Sequence, residues 1–352
     1  MNFRALLLLA GSFVAALGLS GCGAIRFYRQ AMDGQAEILR KARPVSQVVE
    51  DRQTGPELKR KLALAQEVVR FAREQLDLPT EGRYDRYKDL HRKYVTWVVY
   101  AAPEFSLEGK KWWYPVVGSL KYRGFFSEAA AKEEAVALKA RGYDVFAGGV
   151  EAYSTLGWFH DPILNTFLNT NDAQFAELLF HELTHVKLFI PGDTDFNEAF
   201  ATANSEAAVR RWLAAKGDRK ALENYDAELE KDRQVIRLLL DTREKLKRLY
   251  EGPAIGAAAM RSRKTAIFDE LRVDYVRLSR QWGGRSRYDR TFAMPWNNAR
   301  LNTVATYYDL VPGFERLLKA NGGDPKRFYA AVQALGKLSQ KERRAALMTD
   351  KP

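Results

Sequence analysis

Cysteine is almost absent from this chain: Cys22 is the single one in 352 residues. One thiol excludes a disulfide framework and any zinc site built from clustered thiolates. Histidine is scarce too, four in all, so the ligands of a metal site here have to come from His, Asp and Glu. Long apolar runs are missing as well. The longest, Ala5 to Leu19, falls short of the ~20 residues a membrane-spanning helix needs but suits the core of a signal peptide. No tandem repeat and no nucleic-acid motif occurs. The formal charge is +12, but basic residues interleave with acidic ones on the expected helices. That pattern describes a solvated surface and gives no reason to expect nucleic acid as a partner. At 46% hydrophobic and 12% aromatic, with modest Pro and Gly, the composition is that of a folded globular chain.

Two of the four histidines carry the strongest signal. His181-Glu182-Leu183-Thr184-His185 is an H-E-x-x-H sequence, the pattern with which zinc hydrolases place two ligands and a general base on one helix. The helix is expected on independent grounds. Asn169, Thr170, Asn171 and Asp172 offer caps, Phe175, Leu179, Leu183, Val186 and Ile190 recur at spacings of three and four, and Pro191-Gly192 stops the run. Residues four apart on a helix are separated by one turn of roughly 5.4 Å, so both imidazoles can reach one ion with Glu182 beside them.

Zinc needs a third protein ligand and, for catalysis, a position left open. No histidine follows His185. Glu198, in Phe196-Asn197-Glu198-Ala199-Phe200, lies at a matching depth if the second helix returns antiparallel after the Pro191-Gly192 break. Glu206 would lie two turns too deep, and His160, Asp193 and Asp195 are weaker options.

Around this pair of helices the chain reads as mostly helical α+β. Pro56 opens an amphipathic helix to about Leu78. Tyr94–Ala101 and Trp112–Tyr122 read as strands, Ser127 caps a helix to about Arg141, and Gly142–Phe146 is a further strand. The stretch from Gly148 begins like an edge strand. After a second metal helix, capped by Thr194 or Asp195 and running to about Lys216, a long helical hairpin is expected over about 218–282. It breaks at Gly252-Pro253, and further helices follow over about 285–345. The expected organisation is a signal peptide (1–21), a membrane-proximal tether (22–55), and one folded unit (56–352) whose sheet occupies about 84–160 and whose metal helices occupy about 172–216.

The His-Glu-x-x-His and Asn-Glu pair resembles the gluzincin metallopeptidases. More closely, the chain resembles the bacterial lipoprotein family of putative aminopeptidases, on Ala152–Gly157, Asp161-Pro162, His181–His185, Phe196–Ala201 and Asn297–Ala299. That resemblance implies a zincin-like core with a small mixed sheet, a zinc cofactor, and removal of amino-terminal residues from a peptide substrate. The spacing of the second motif departs from the best-known gluzincins, where it lies further from the first. Leu19-Ser20-Gly21-Cys22 is similar to a bacterial lipobox, which makes Cys22 the lipidated residue and the lipid a membrane anchor. By resemblance to lipoprotein sorting, Gly23 in place of Asp points to the outer membrane, facing the periplasm.

The chemistry expected of such a site is metal-assisted hydrolysis with His181, His185 and Glu198 as ligands and Glu182 as general base and acid. A phenol would assist the developing oxyanion, with Tyr153, Tyr307 and Tyr308 as candidates. Glu151 is placed to meet a free ammonium group. Ala152 and Ser154 would pair with an extended substrate at the sheet edge, and Asn297 and Asn298 either touch substrate backbone or cap a helix. Two competing readings are an endopeptidase and a non-catalytic envelope lipoprotein. The latter would have a structural metal site and would dock an envelope partner through the helical hairpin.

Overall fold

The computed structural model describes residues 22–114, 118–151 and 160–349, with the side chains of 22–28 and 304–307 outside the described set. In chain order the N-terminal part contributes helix α1 (Cys22–Leu39), strand β1 (Arg43–Pro44), and helices α2 (Val45–Glu50) and α3 (Pro56–Leu76). The sheet region follows with β2 (Arg86–Lys88), β3 (Thr96–Pro103), β4 (Trp112–Tyr114), β5 (Gly118–Leu120), β6 (Arg123–Phe125), α4 (Glu128–Ala140), β7 (Tyr143–Val150) and β8 (Ile163–Leu164). The rest is helical: α5 (Asp172–Lys187), α6 (Thr194–Ala215), α7 (Arg219–Glu251), α8 (Ala257–Gln281) and α9 (Asp289–Ala293), then α10 (Asn298–Tyr308), α11 (Val311–Ala320), α12 (Pro325–Gly336) and α13 (Gln340–Met348). With 63% helix and 10% strand the chain is a mostly helical α+β protein. Among the described residues no helix is long and apolar enough to cross a membrane.

The expected strand over Trp112–Tyr122 is two short antiparallel strands, β4 and β5, with β6 directly after them. The principal sheet has the order β6-β3-β7, all antiparallel, with Val99 opposite Ala147 and Tyr100 opposite Phe146. Alternation along the strands assigns its two faces. Val99, Ala101, Phe125 and Val145 turn to α4, whereas Tyr100, Ala102 and the half-buried Phe146 pack on Ala299 of α10. The β7 strand lies at the sheet edge among the described strands, as the Gly148 stretch led one to expect.

The largest core is built on α5 and α6. Phe175, Leu179, Phe180 and Leu183 from one helix, and Phe196 and Phe200 from the other, are fully buried together with residues of α3, α11 and α12. Ile38, Val45 and Val48 join this core, so the stretch read as a membrane-proximal tether is packed against the domain from Ile38 onward. The long hairpin is present as α7 and α8, broken where Gly252-Pro253 required. It has its own core of Val235, Leu239, Leu246, Phe268, Leu271 and Tyr275, closed by Phe292, Trp296 and Leu301.

Candidate metal centre

Helix α5 starts where its cap dictates: the Asn171 side chain accepts from the Gln174 N–H at 2.9 Å. Its first turn is anchored to α3 by the buried Lys61, which donates to the Thr170 carbonyl (2.6 Å) and to Asp172 (2.9 Å), and by Arg60, which also reaches Asp172 (2.7 Å). The helix ends at Lys187, and the chain then runs extended to the Pro191–Gly192 turn, where Gly192 takes φ +81°. Asn197 sets this turn. Its amide accepts from the Ile190 N–H and donates to the Ile190 carbonyl, both at 2.8 Å. The second helix is capped by Asp193, one residue before the expected Thr194 or Asp195. Asp193 accepts from the Phe196 N–H (3.4 Å) and is fixed by a buried ion pair with Arg343 of α13 (2.8 Å).

The antiparallel return brings three side chains to one point. His181 Nε2 and His185 Nε2 are 3.1 Å apart, and Glu198 Oε2 lies 3.3 Å from the first and 3.5 Å from the second. A tetrahedral zinc ion with bonds of about 2.0–2.1 Å separates its ligand atoms by roughly 3.3 Å. The donor set and its spacing therefore fit zinc. His185 is 7% exposed and His181 19%, so the centre opens on the His181 side. His185 Nδ1 is buried without a hydrogen-bond partner, a departure from the usual pattern in which the second nitrogen of a ligand imidazole is held by a carbonyl or carboxylate.

The electrostatics tie the group together. Burial would lower the His185 pKa, but the charge and hydrogen bond of Glu198 and the charge of Glu182 outweigh it and raise it. Burial would raise Glu198, but the His185 charge and the hydrogen bonds from His181 and His185 hold it well below the usual carboxylate range. Glu182 is partly exposed, and its charge is felt by His185, Tyr84 and Tyr122.

The other expected site residues are scattered. Glu206 lies outside the donor trio, as depth required. Asp193 and Asp195 are engaged with Arg343 and Lys121, and His160 is exposed, resting against Gly82. Tyr308 lies on the Glu177 and Glu206 side of α5: burial raises its pKa, followed by the charges of those two carboxylates. Glu151 follows the end of β7, partly exposed, its carbonyl accepting from Thr166. Asn298 is fully buried and fully used, donating to the carbonyls of Pro103, Glu104 and Ser106 and accepting from Tyr250. Asn297 donates to the Val145 carbonyl and accepts from the Arg300 N–H. Asn297 therefore caps α10 and ties it to β7, whereas Asn298 ties α10 to the end of β3 and to α7. Ala152, Tyr153 and Ser154, the side chains of Cys22 and Tyr307, and residues 1–21, the expected signal peptide, lie outside the described residues.

Two tyrosines escaped the sequence. Tyr122, between β5 and β6, has its phenol pKa pushed up by burial and then by Glu198, Tyr100, Tyr114 and Glu182. Tyr84 is pushed up by burial and then by Glu182 and Asp161. Both stay protonated at neutral pH and are therefore hydrogen-bond donors. Lys121 pairs with Asp195 at 2.6 Å and so fastens the Tyr122 segment to the start of α6.

No curated protein and no solved structure matches the chain. A family model does match, over residues 26–347, most of the chain. The chain belongs to the family described as "Putative aminopeptidase".

Proposed function

We propose that the protein is a zinc-dependent peptidase, an aminopeptidase, held in the bacterial envelope by a lipid on Cys22. The observation that carries this reading is the convergence of His181, His185 and Glu198 with the Glu182 carboxylate alongside, because a purely structural site needs the ligands but not the base. These three residues would hold zinc, which would supply Lewis acidity and bring the pKa of a water towards about 7. Glu182 takes the proton from the attacking water and delivers it to the nitrogen of the leaving amine as the C–N bond breaks. Tyr122 donates to the carbonyl oxygen as negative charge develops there. The exposed edge of β7 pairs with the extended substrate backbone. The family name supports the peptidase class, and the lipobox pattern at Cys22 supports the anchor and the outer-membrane location facing the periplasm.

The decisive experiment combines metal analysis of the purified protein with a peptide-library assay of wild type and Glu182→Gln. Stoichiometric zinc and turnover lost in Glu182→Gln are expected. Protein without stoichiometric metal sinks the centre. Metal-loaded wild type no more active than Glu182→Gln returns the docking lipoprotein. Internal cleavage of peptides with blocked ends selects an endopeptidase.

A further inference from the structure

A cleft of about 1230 Å³ opens beside the first half of α5, and Glu177, Tyr225 and Tyr308 stand in its wall. Glu177 precedes His181 by one helical turn on the same face, and its carboxyl senses the His181 charge. Neighbouring acids in the cleft have cations of their own: Asp172 pairs with Arg60 and Lys61, and Asp232 with Arg287. Behind the wall Glu206 is met by Arg233 at 3.3 Å. Among the described residues Glu177 has no cation within ion-pair distance. Tyr225 is 7% exposed and its hydroxyl faces the Glu177 carboxylate, with no other hydrogen-bond partner among the described residues.

A recessed carboxylate without a cation and a recessed phenol whose one polar neighbour is that carboxylate therefore face one spot, one turn from the metal donors. One phenol cannot compensate a recessed carboxylate charge, whereas a ligand with several N–H donors and a positive charge compensates it and reaches the phenol oxygen as well. Between Glu177 and His181 the helix provides roughly 5–6 Å. That admits a small ammonium group close to a carbonyl held at the donors, but not the four-carbon stem of a lysine.

We propose that Glu177 and Tyr225 form the subsite for the free α-ammonium group of the peptide substrate. This rests on the peptidase reading and gives it a physical basis for exopeptidase specificity. The α-ammonium donates to the Glu177 carboxylate and to Tyr225 Oη, and so sets the first residue of the chain against the metal centre. Glu151, at the end of β7, is not needed for this task.

The test separates the subsite from catalysis. Zinc-loaded, detergent-solubilised full-length Glu182→Gln protein is titrated calorimetrically with leucinamide, N-acetyl-leucinamide and N-acetyl-lysinamide, alone and with Glu177→Gln or Tyr225→Phe added. Leucinamide affinity is expected to fall roughly thirtyfold on acetylation and by a similar factor in Glu177→Gln, and about fivefold in Tyr225→Phe, which removes only the neutral hydroxyl. Thermal unfolding midpoints close to the parent establish that both variants are folded, and Tyr225→Phe carries the test if Glu177→Gln is not. Equal binding of the acetylated and free amides, unchanged binding in the variants, or no leucinamide binding overturns the subsite. N-acetyl-lysinamide binding that depends on Glu177 also overturns it, in favour of a side-chain ammonium. Wild-type turnover is measured beside these titrations. Leucinamide bound through Glu177 with no peptide cleaved keeps the subsite and loses the peptidase, whereas equal cleavage of free and acetylated peptides does the reverse.

Discussion

Glu206 is a residue kept at a thermodynamic cost. Burial, with the Glu177 charge next, pushes its pKa from 4.5 to about 7 despite Arg233. A raised carboxyl pKa means that the folded chain binds more protons than the unfolded chain between about 4.5 and 7. Stability therefore falls as pH rises through that window, and the penalty is complete above it. A shift of this size corresponds to about 3 kcal/mol at most. Glu206→Gln is expected to raise the urea-unfolding free energy by about 2 kcal/mol at pH 8 and by little at pH 4.5; equal effects at the two pH values would contradict the buried-charge account. Tyr122 illustrates the complementary case of a group kept neutral to donate. Tyr122→Phe is expected to lower kcat roughly a hundredfold, the usual effect of deleting one oxyanion donor, with KM and zinc content nearly unchanged. A loss confined to KM would place the phenol in substrate binding instead.

At the scale of elements, what the sequence revealed depended on whether the deciding contact is local. The start of α5 was legible because Asn171 caps it within three residues, and its end was bounded by Pro191-Gly192. The start of α6 was misjudged by one residue because Asp193 is selected by Arg343, a partner about 150 positions away. Asn197 and Asn298 show how similar motifs diverge once folded. The first clamps Ile190 and positions its neighbour Glu198, whereas the second joins the hairpin to the end of the sheet. Replacing either by Ala strands partly buried backbone groups and is expected to cost about 2–4 kcal/mol. The two should part company in zinc affinity. Asn197→Ala is expected to weaken it by roughly 10–100-fold because a supporting residue of the ligand is lost, and Asn298→Ala is expected to leave it near wild type. Competition with a chromophoric chelator measures both, and parallel losses would mean that Asn197 acts through stability alone.

For the whole molecule, the convergence of His181, His185 and Glu198 was readable because they occupy two consecutive helices. Tyr84, Tyr122 and Tyr225 were not, since each comes from a different part of the chain and only the assembled core makes it a neighbour of α5. The N-terminal helix extends this lesson to the membrane. Its stretch was read as a tether, yet α1 is docked: Gln30 accepts from the Phe126 N–H at 2.8 Å, and Ile38 is buried in the main core. Gly34 lies so close to Phe126 that a Cβ there would fall 2.1 Å from the ring. From Gln30 back to Cys22 is two helical turns, roughly 12 Å, so a lipid on Cys22 would hold the folded domain near the bilayer and not on a long leash. Cys22→Ser is expected to move the protein from the membrane pellet to the soluble fraction with unchanged turnover per molecule. Gly34→Leu is expected to keep it in the pellet while exposing new limited-proteolysis sites between residues 29 and 42, because the leucine displaces the Phe126 ring and frees α1. Retention of Cys22→Ser in the pellet would remove the lipid anchor, and a protease-resistant Gly34→Leu would show that α1 docks without the close approach at Phe126.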